Sequence, residues 1–173
     1  MDDRARFRGC LLGGAVGDAL GGAVEFMRLS QIRKRFGPRG IRDYAEAYGQ
    51  LGAITDDTQM TLFTAEGLIR GLVRERHNGS ADSPSVTANA YVRWLLTQGT
   101  KNNHGLNPVG KAPGWLYTVD ALHSQRAPGR TCLSALQDAR QPGLRAENDS
   151  KGCGGVMRVA PVGLFAQSIE ESF

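Results

Sequence analysis

TQMTLFTAEGLIRGLVRER, residues 58–76, places apolar side chains at Met60, Phe63, Leu68, Ile69, Leu72 and Val73, close to the 3.6-residue helical repeat. The spacing predicts a long helix with one apolar face. SVTANAYVRWLLT (85–97) follows in the same register through Ala88, Tyr91, Val92, Leu95 and Leu96, with Pro84 suited to a helix start. QGTKNNHGLNPVGKAPGW (98–115) is rich in Gly, Asn and Pro and reads as a loop. Shorter helices are predicted over 115–124 and 130–140, a second loop over 141–155, and a helix over 156–168 despite Pro161. No run alternates polar and apolar residues between turns, so no strand is predicted and the fold class is all-α. A single domain over residues 1–173 is the expectation.

Composition narrows the function classes. Hydrophobic residues make up 40% of the chain and charged residues 22%, an ordinary globular mixture, whereas 23 glycines are about twice the usual share. The formal charge of +4 comes from arginines spread along the chain, with no run of five like charges, and nucleic-acid binding is not favoured. Cys10, Cys132 and Cys153 are odd in number and form no CxxC pair, and no secretory signal precedes them. Free thiols in a reducing cytoplasm are expected. GCLLGGAVGDALGGAV (9–24) contains Asp18 and is shorter than the roughly 18–20 apolar residues that span a bilayer. Its Gly9, Gly13, Gly17 and Gly21 recur every fourth residue, which predicts a flat helix face for close packing, with the glycine pairs near residue 21 marking a helix end.

GAITDDTQM (52–60) sets two like charges, Asp56 and Asp57, side by side at the start of the long helix. Thr55 or Asp56 can cap that helix, Asp57 can sit against its positive end, and Asp56-x-x-Gln59 has the spacing of a capping box. That explains one carboxylate better than two. A divalent cation between them removes the repulsion, and Asp and Thr oxygens suit a hard cation.

GAVGDALGGAVEF (14–26), GAITDDTQM (52–60), YVRWL (91–95), RAPGRTCLSAL (126–136) and SKGCGGVMRVAPVGLF (150–165), in this order, resemble the ADP-ribosylglycohydrolase family. The resemblance implies an orthogonal all-α bundle with two Mg²⁺ or Mn²⁺ ions that hydrolyses the bond between ADP-ribose and an acceptor. It implies that Thr55, Asp56 and Asp57 supply half of the metal site and that Glu25 is the acid beside the scissile bond. Gly152, Cys153, Gly154, Gly155 and Arg158 then line the ADP-ribose, where a glycine-rich backbone can bring its N–H groups to an anion. Taken alone, GCGGVMR also reads as a turn entering a helix, and Cys153, with no His partner suggested, as a packed thiol. His104 is expected to be exposed.

The remaining metal ligands of the resembled family lie in a D-x-D-T stretch that does not occur here, so the chain resembles the N-terminal part of a full member. Two aspartates and a threonine fill only part of an octahedral shell. The expectation is therefore a metal-dependent glycohydrolase acting on an ADP-ribosylated protein, of arginine type, or on a small ADP-ribosyl compound. A homo-oligomer or a second chain would complete the site. The rival expectation is an ADP-ribose-binding module, or an inactive fragment, without turnover.

Overall fold

The computed structural model describes residues 2–110, 113–166 and 168. Six helices dominate it: α1 (Asp3–Gly21), α2 (Leu29–Phe36), α3 (Asp56–Asn78), α4 (Ser83–Thr97), α5 (Arg130–Gln137) and α6 (Ala160–Phe165). The only strands among the described residues are β1 (Glu46–Ala47) and β2 (Gln50–Leu51), an antiparallel pair. The fold is all-α, as the periodicity predicts.

α3 and α4 form the central hairpin. Gly79 ends α3 at a positive φ of 76°, and its N–H bonds the Glu75 carbonyl at 2.8 Å. Asp82 starts α4 by accepting from the Ser85 N–H at 3.2 Å. The helices approach closely because α3 has glycines where α4 crosses it: a Cβ on Gly67 would lie 2.7 Å from the Thr87 Cα, and one on Gly71 3.0 Å from the Ser83 Oγ. Met60 and Phe63 of α3 meet Ala90 and Trp94 of α4 in the core, which Leu116, Leu122 and Cys132 close.

The expected flat face of α1 is not used in this way. No atom lies within 4 Å of a Cβ built on Gly9, Gly13, Gly17 or Gly21, and Leu12 and Val16 are exposed. The close approach is one residue beyond the helix, where a Cβ on Gly22 would meet the Thr55 methyl at 2.7 Å. Residues 115–124 form two short 3₁₀ turns (Leu116–Thr118 and Asp120–Leu122) in place of one helix. Across 156–168, a 3₁₀ segment (Cys153–Arg158) hands over to α6 at Pro161, which occupies the first turn, where its missing N–H costs nothing. Gln167 lies outside the described residues.

Candidate active site

The start of α3 is held by a carboxylate from far along the chain. Asp18, near the end of α1, accepts from the Thr55 N–H (2.8 Å), Thr55 Oγ1 (2.6 Å), the Thr58 N–H (3.2 Å) and Thr58 Oγ1 (2.5 Å). It supplies the negative charge and the acceptors that the orphan N–H groups of a helix start require. Thr55 is the N-cap residue and accepts from the Asp57 N–H at 3.3 Å. The capping-box reading of Gln59 is overturned: Gln59 is fully buried, its Oε1 accepting from Trp94 Nε1 (3.0 Å) and Gln98 Nε2 (3.2 Å). Its Nε2 donates to the Ser124 carbonyl at 3.1 Å, so the amide is a core strut rather than part of a cap.

That strut supports the turn 124–129, which lies against Asp56. The Asp56 N–H donates to the Arg126 carbonyl at 3.0 Å, and the Gly129 N–H donates to Asp56 Oδ2 at 3.1 Å. Arg126 is buried and reaches the Ile54 carbonyl and Gln50 Oε1, both at 3.3 Å, while Ala127 takes a left-handed φ of 56°. A non-glycine residue held there costs of order 1 kcal/mol and persists because its surroundings fix it. Thr55, Asp56 and Asp57 are thus set on a well-braced helix start.

Glu25 follows α1 and shares a field with the aspartates. The residue is exposed overall; partial desolvation of its carboxyl first, then the charges of Asp57 and Asp18, push it above the usual range. Asp56, 4% exposed, is pushed up to about 6 chiefly by burial, with Asp57 and Glu25 adding to it against the Gly129 hydrogen bond. Tyr48, on the turn between β1 and β2, is raised by burial and by Glu25, Asp56 and Asp18. Among the described residues neither ion pair involves any of these four carboxylates. Four acids therefore converge there, and none of them is in an ion pair among the described residues.

The GCGGVMR segment packs beside them. Thr61 Oγ1 of α3 donates to the Met157 carbonyl at 3.1 Å. Arg158 turns inward: it donates to the Gly154 carbonyl and, at 2.7 Å, to Cys132 Sγ, with its guanidinium 4.9 Å from the Tyr91 ring centre. Burial raises the Cys132 thiol, partly offset by Arg158. Gly154 is required there, since a Cβ would fall 2.5 Å from that sulfur. Gly152, Gly154, Gly155 and Arg158 line a cleft of about 1270 Å³ with Tyr91 and Thr131, and Cys153 is exposed beside it. The four carboxylates do not line this cleft. His104 is exposed in its loop, with its backbone N–H bonded to Asn102 Oδ1 at 2.9 Å.

The protein-family model for ADP-ribosylglycohydrolase matches residues 1–173. The chain belongs to the ADP-ribosylglycohydrolase family. An uncharacterised protein of Archaeoglobus fulgidus is 30% identical over 162 residues, which are 92% of this chain and 42% of that protein. The uncharacterised protein YegU of Escherichia coli K12 is 27% identical over 164 residues, 91% of this chain and 41% of YegU. The chain thus spans about two fifths of the length of these relatives. No solved structure gives a significant match.

Members of the ADP-ribosylglycohydrolase family are generally metal-dependent, and the donor chemistry here suits a hard cation. With its proton on Asp18 and one lone pair on the Asp57 N–H, Thr55 Oγ1 keeps a second lone pair free. Asp57 is half-buried, and its Oδ2 lies 3.1 Å from Thr55 Oγ1, competing with the closer Asp18 for that hydroxyl's one proton. The set is nevertheless partial: among the described residues no three His, Cys, Asp or Glu side chains are arranged to hold a metal ion. Asp18, saturated by the helix start, is the residue that sequence reasoning missed. Its only signal is an acid in the otherwise uncharged run 9–24, and its partners lie 37 and 40 residues away.

Proposed function

We propose that this chain carries the carboxylate centre of a metal-dependent hydrolase that cleaves the glycosidic bond between ADP-ribose and an arginine-type acceptor on a protein. The observation that carries this reading is the gathering of four acids around the start of α3 with no ion pair to any of them among the described residues, and with Asp56 and Glu25 both displaced upward. Thr55, Asp56 and Asp57 would hold Mg²⁺ or Mn²⁺. When bound, the cation supplies charge stabilisation and lowers the pKa of coordinated water.

Glycosidic cleavage passes through an oxocarbenium-like transition state, so the site must fix the ribose, protonate or release the acceptor, and deliver water. Glu25 is the acid–base candidate, because its raised pKa brings proton exchange closer to neutral pH. Asp18 keeps Thr55 and Thr58 in place, and the Gly129 N–H orients Asp56. The glycine-lined cleft would take the ADP-ribose, with Gly152, Cys153, Gly154 and Gly155 presenting backbone and Arg158 bracing the turn. A reducing cytoplasm suits the three free thiols.

A second reading is favoured by the incomplete ligand set: an ADP-ribose-binding module without turnover, or a half-site completed by a second copy or chain. Hydrolysis of ADP-ribosyl-arginine with Mn²⁺, measured for the chain and for Asp57→Ala at matched helix content, separates the readings. The hydrolase reading expects turnover that Asp57→Ala abolishes. Turnover at the same rate in both rules it out, and ADP-ribose binding without turnover selects the second.

A further inference from the structure

The formal charge of the chain is +4, yet residues 28–42 alone carry +6 and no acid: Arg28, Arg33, Lys34, Arg35, Arg39 and Arg42. The rest of the chain is net acidic. All six are exposed, and none forms an ion pair among the described residues. Averaged over the sequence these charges look scattered; in the fold they occupy α2 and the turn that follows it. The Gln31 side chain accepts from the Arg28 N–H at 2.7 Å to start α2, and Gly37 and Gly40 take φ of 83° and 71° to reverse the chain behind it.

This turn carries a groove of about 440 Å³ lined by Phe36, Arg39, Arg42 and Tyr44, with Pro38 and Gly40 between them and Asp43 as its one carboxylate. The Arg35 guanidinium already lies 5.0 Å from the Phe36 ring centre. Tyr44 is 46% exposed, and the ring is backed by the Gly52 turn, where a Cβ would come within 3.0 Å of it. Arginines beside an exposed, backed Tyr44 ring and a half-buried Phe36 ring offer phosphate contacts and a stacking platform together. An acidic peptide would use the charges and leave the rings idle. A nucleobase uses both. The volume lies in the range of small-molecule clefts and suits one nucleotide unit.

We propose that α2 and the 37–44 turn form a docking surface for single-stranded nucleic acid, with one base in the Phe36–Tyr44 groove and the flanking phosphates on Arg39, Arg42 and the arginines of α2. The proposal does not depend on the reading of the carboxylates, since it concerns binding and not cleavage.

The test is fluorescence anisotropy of a fluorescein-labelled twelve-residue oligothymidylate with the full chain, from about 50 mM NaCl upward. Saturable binding is expected, with log K falling against log salt by about 0.7 for each phosphate engaged. Arg39→Gln with Arg42→Gln should weaken binding about tenfold and reduce the salt slope by about 1.4. Tyr44→Leu, which keeps bulk behind the groove, should weaken it about fivefold with the slope unchanged. Far-UV circular dichroism of Arg39→Gln/Arg42→Gln should match that of the parent, so that lost binding is not lost fold. Absence of saturable binding at low salt overturns the proposal, as does unchanged affinity in folded Arg39→Gln/Arg42→Gln. So does displacement of the oligonucleotide by a glutamate-rich peptide of matched charge with no effect of Tyr44→Leu, which would assign the surface to an acidic protein.

Discussion

Asp56→Asn should make the metal-free protein more stable, not less. Asp56 is pushed up to about 6 from an ordinary 3.8. Two pKa units correspond to about 3 kcal/mol of differential stability, an upper value for this group. Because the folded pKa is raised, the proton is held more tightly in the native state. The contribution is complete below about pH 4 and is lost as pH rises through 6. At pH 7.5 the parent therefore carries an ionised, buried acid that asparagine replaces with a neutral isostere, whose Oδ1 can still accept from the Gly129 N–H. For a chain of this size each kcal/mol moves Tm by roughly 2–4 °C, so the expected gain in EDTA at pH 7.5 is at most about 6–12 °C. At pH 4.5 the gap should shrink to about a third. Mn²⁺ should raise the Tm of the parent at pH 7.5 and leave Asp56→Asn unmoved. Circular-dichroism melts at the two pH values, with and without Mn²⁺, provide the test. A less stable Asp56→Asn at pH 7.5 in EDTA, or an equal gap at pH 4.5, would refute the assignment of a buried carboxylate held above its ordinary range.

Glu25→Gln should lower hydrolysis of ADP-ribosyl-arginine about 100-fold and remove the acid limb of the pH–rate profile while leaving helix content unchanged, as stopped-time product assays across pH would show. Gln59→Leu should cost about 2–3 kcal/mol in urea unfolding by stranding Trp94 Nε1 and the Ser124 carbonyl, and should speed amide exchange at Gly129 more than at Phe63. Gly67→Ala should destabilise by about 1–3 kcal/mol, since its Cβ meets the α4 backbone. Gly13→Ala should stabilise by about 0.5–1 kcal/mol, because nothing lies near it and alanine favours the helix. The two urea midpoints should thus move in opposite directions.

The contrast between those glycines shows what the sequence makes legible. α3 and α4 are readable because their apolar residues recur at helical spacing over 19 and 13 residues, although α3 buries Met60 and Phe63 of that face together with Gly67 and Gly71 and leaves Ile69 and Val73 exposed. α2 gives no such signal: it is eight residues long and buries none of them. β1 and β2 are two residues each, too short for alternation to register. A four-residue glycine spacing is visible on α1, but spacing cannot say whether a neighbour arrives; the pair that α4 crosses, Gly67 and Gly71, has the same spacing inside the apolar stretch of α3. At the site, adjacent Asp56 and Asp57 are self-announcing, as like charges at a helix start call for an explanation. Asp18 and the 124–129 turn are not, because their roles exist only once α1, α3 and the turn have come together.

The central claim, that the start of α3 holds a divalent cation, is tested most directly by calorimetric titration of this chain with Mn²⁺, with and without ADP-ribose, beside Asp57→Ala. Saturable binding that strengthens with ADP-ribose and disappears in Asp57→Ala is the predicted result. An absence of saturable binding under both conditions, or the same isotherm in Asp57→Ala, would contradict it.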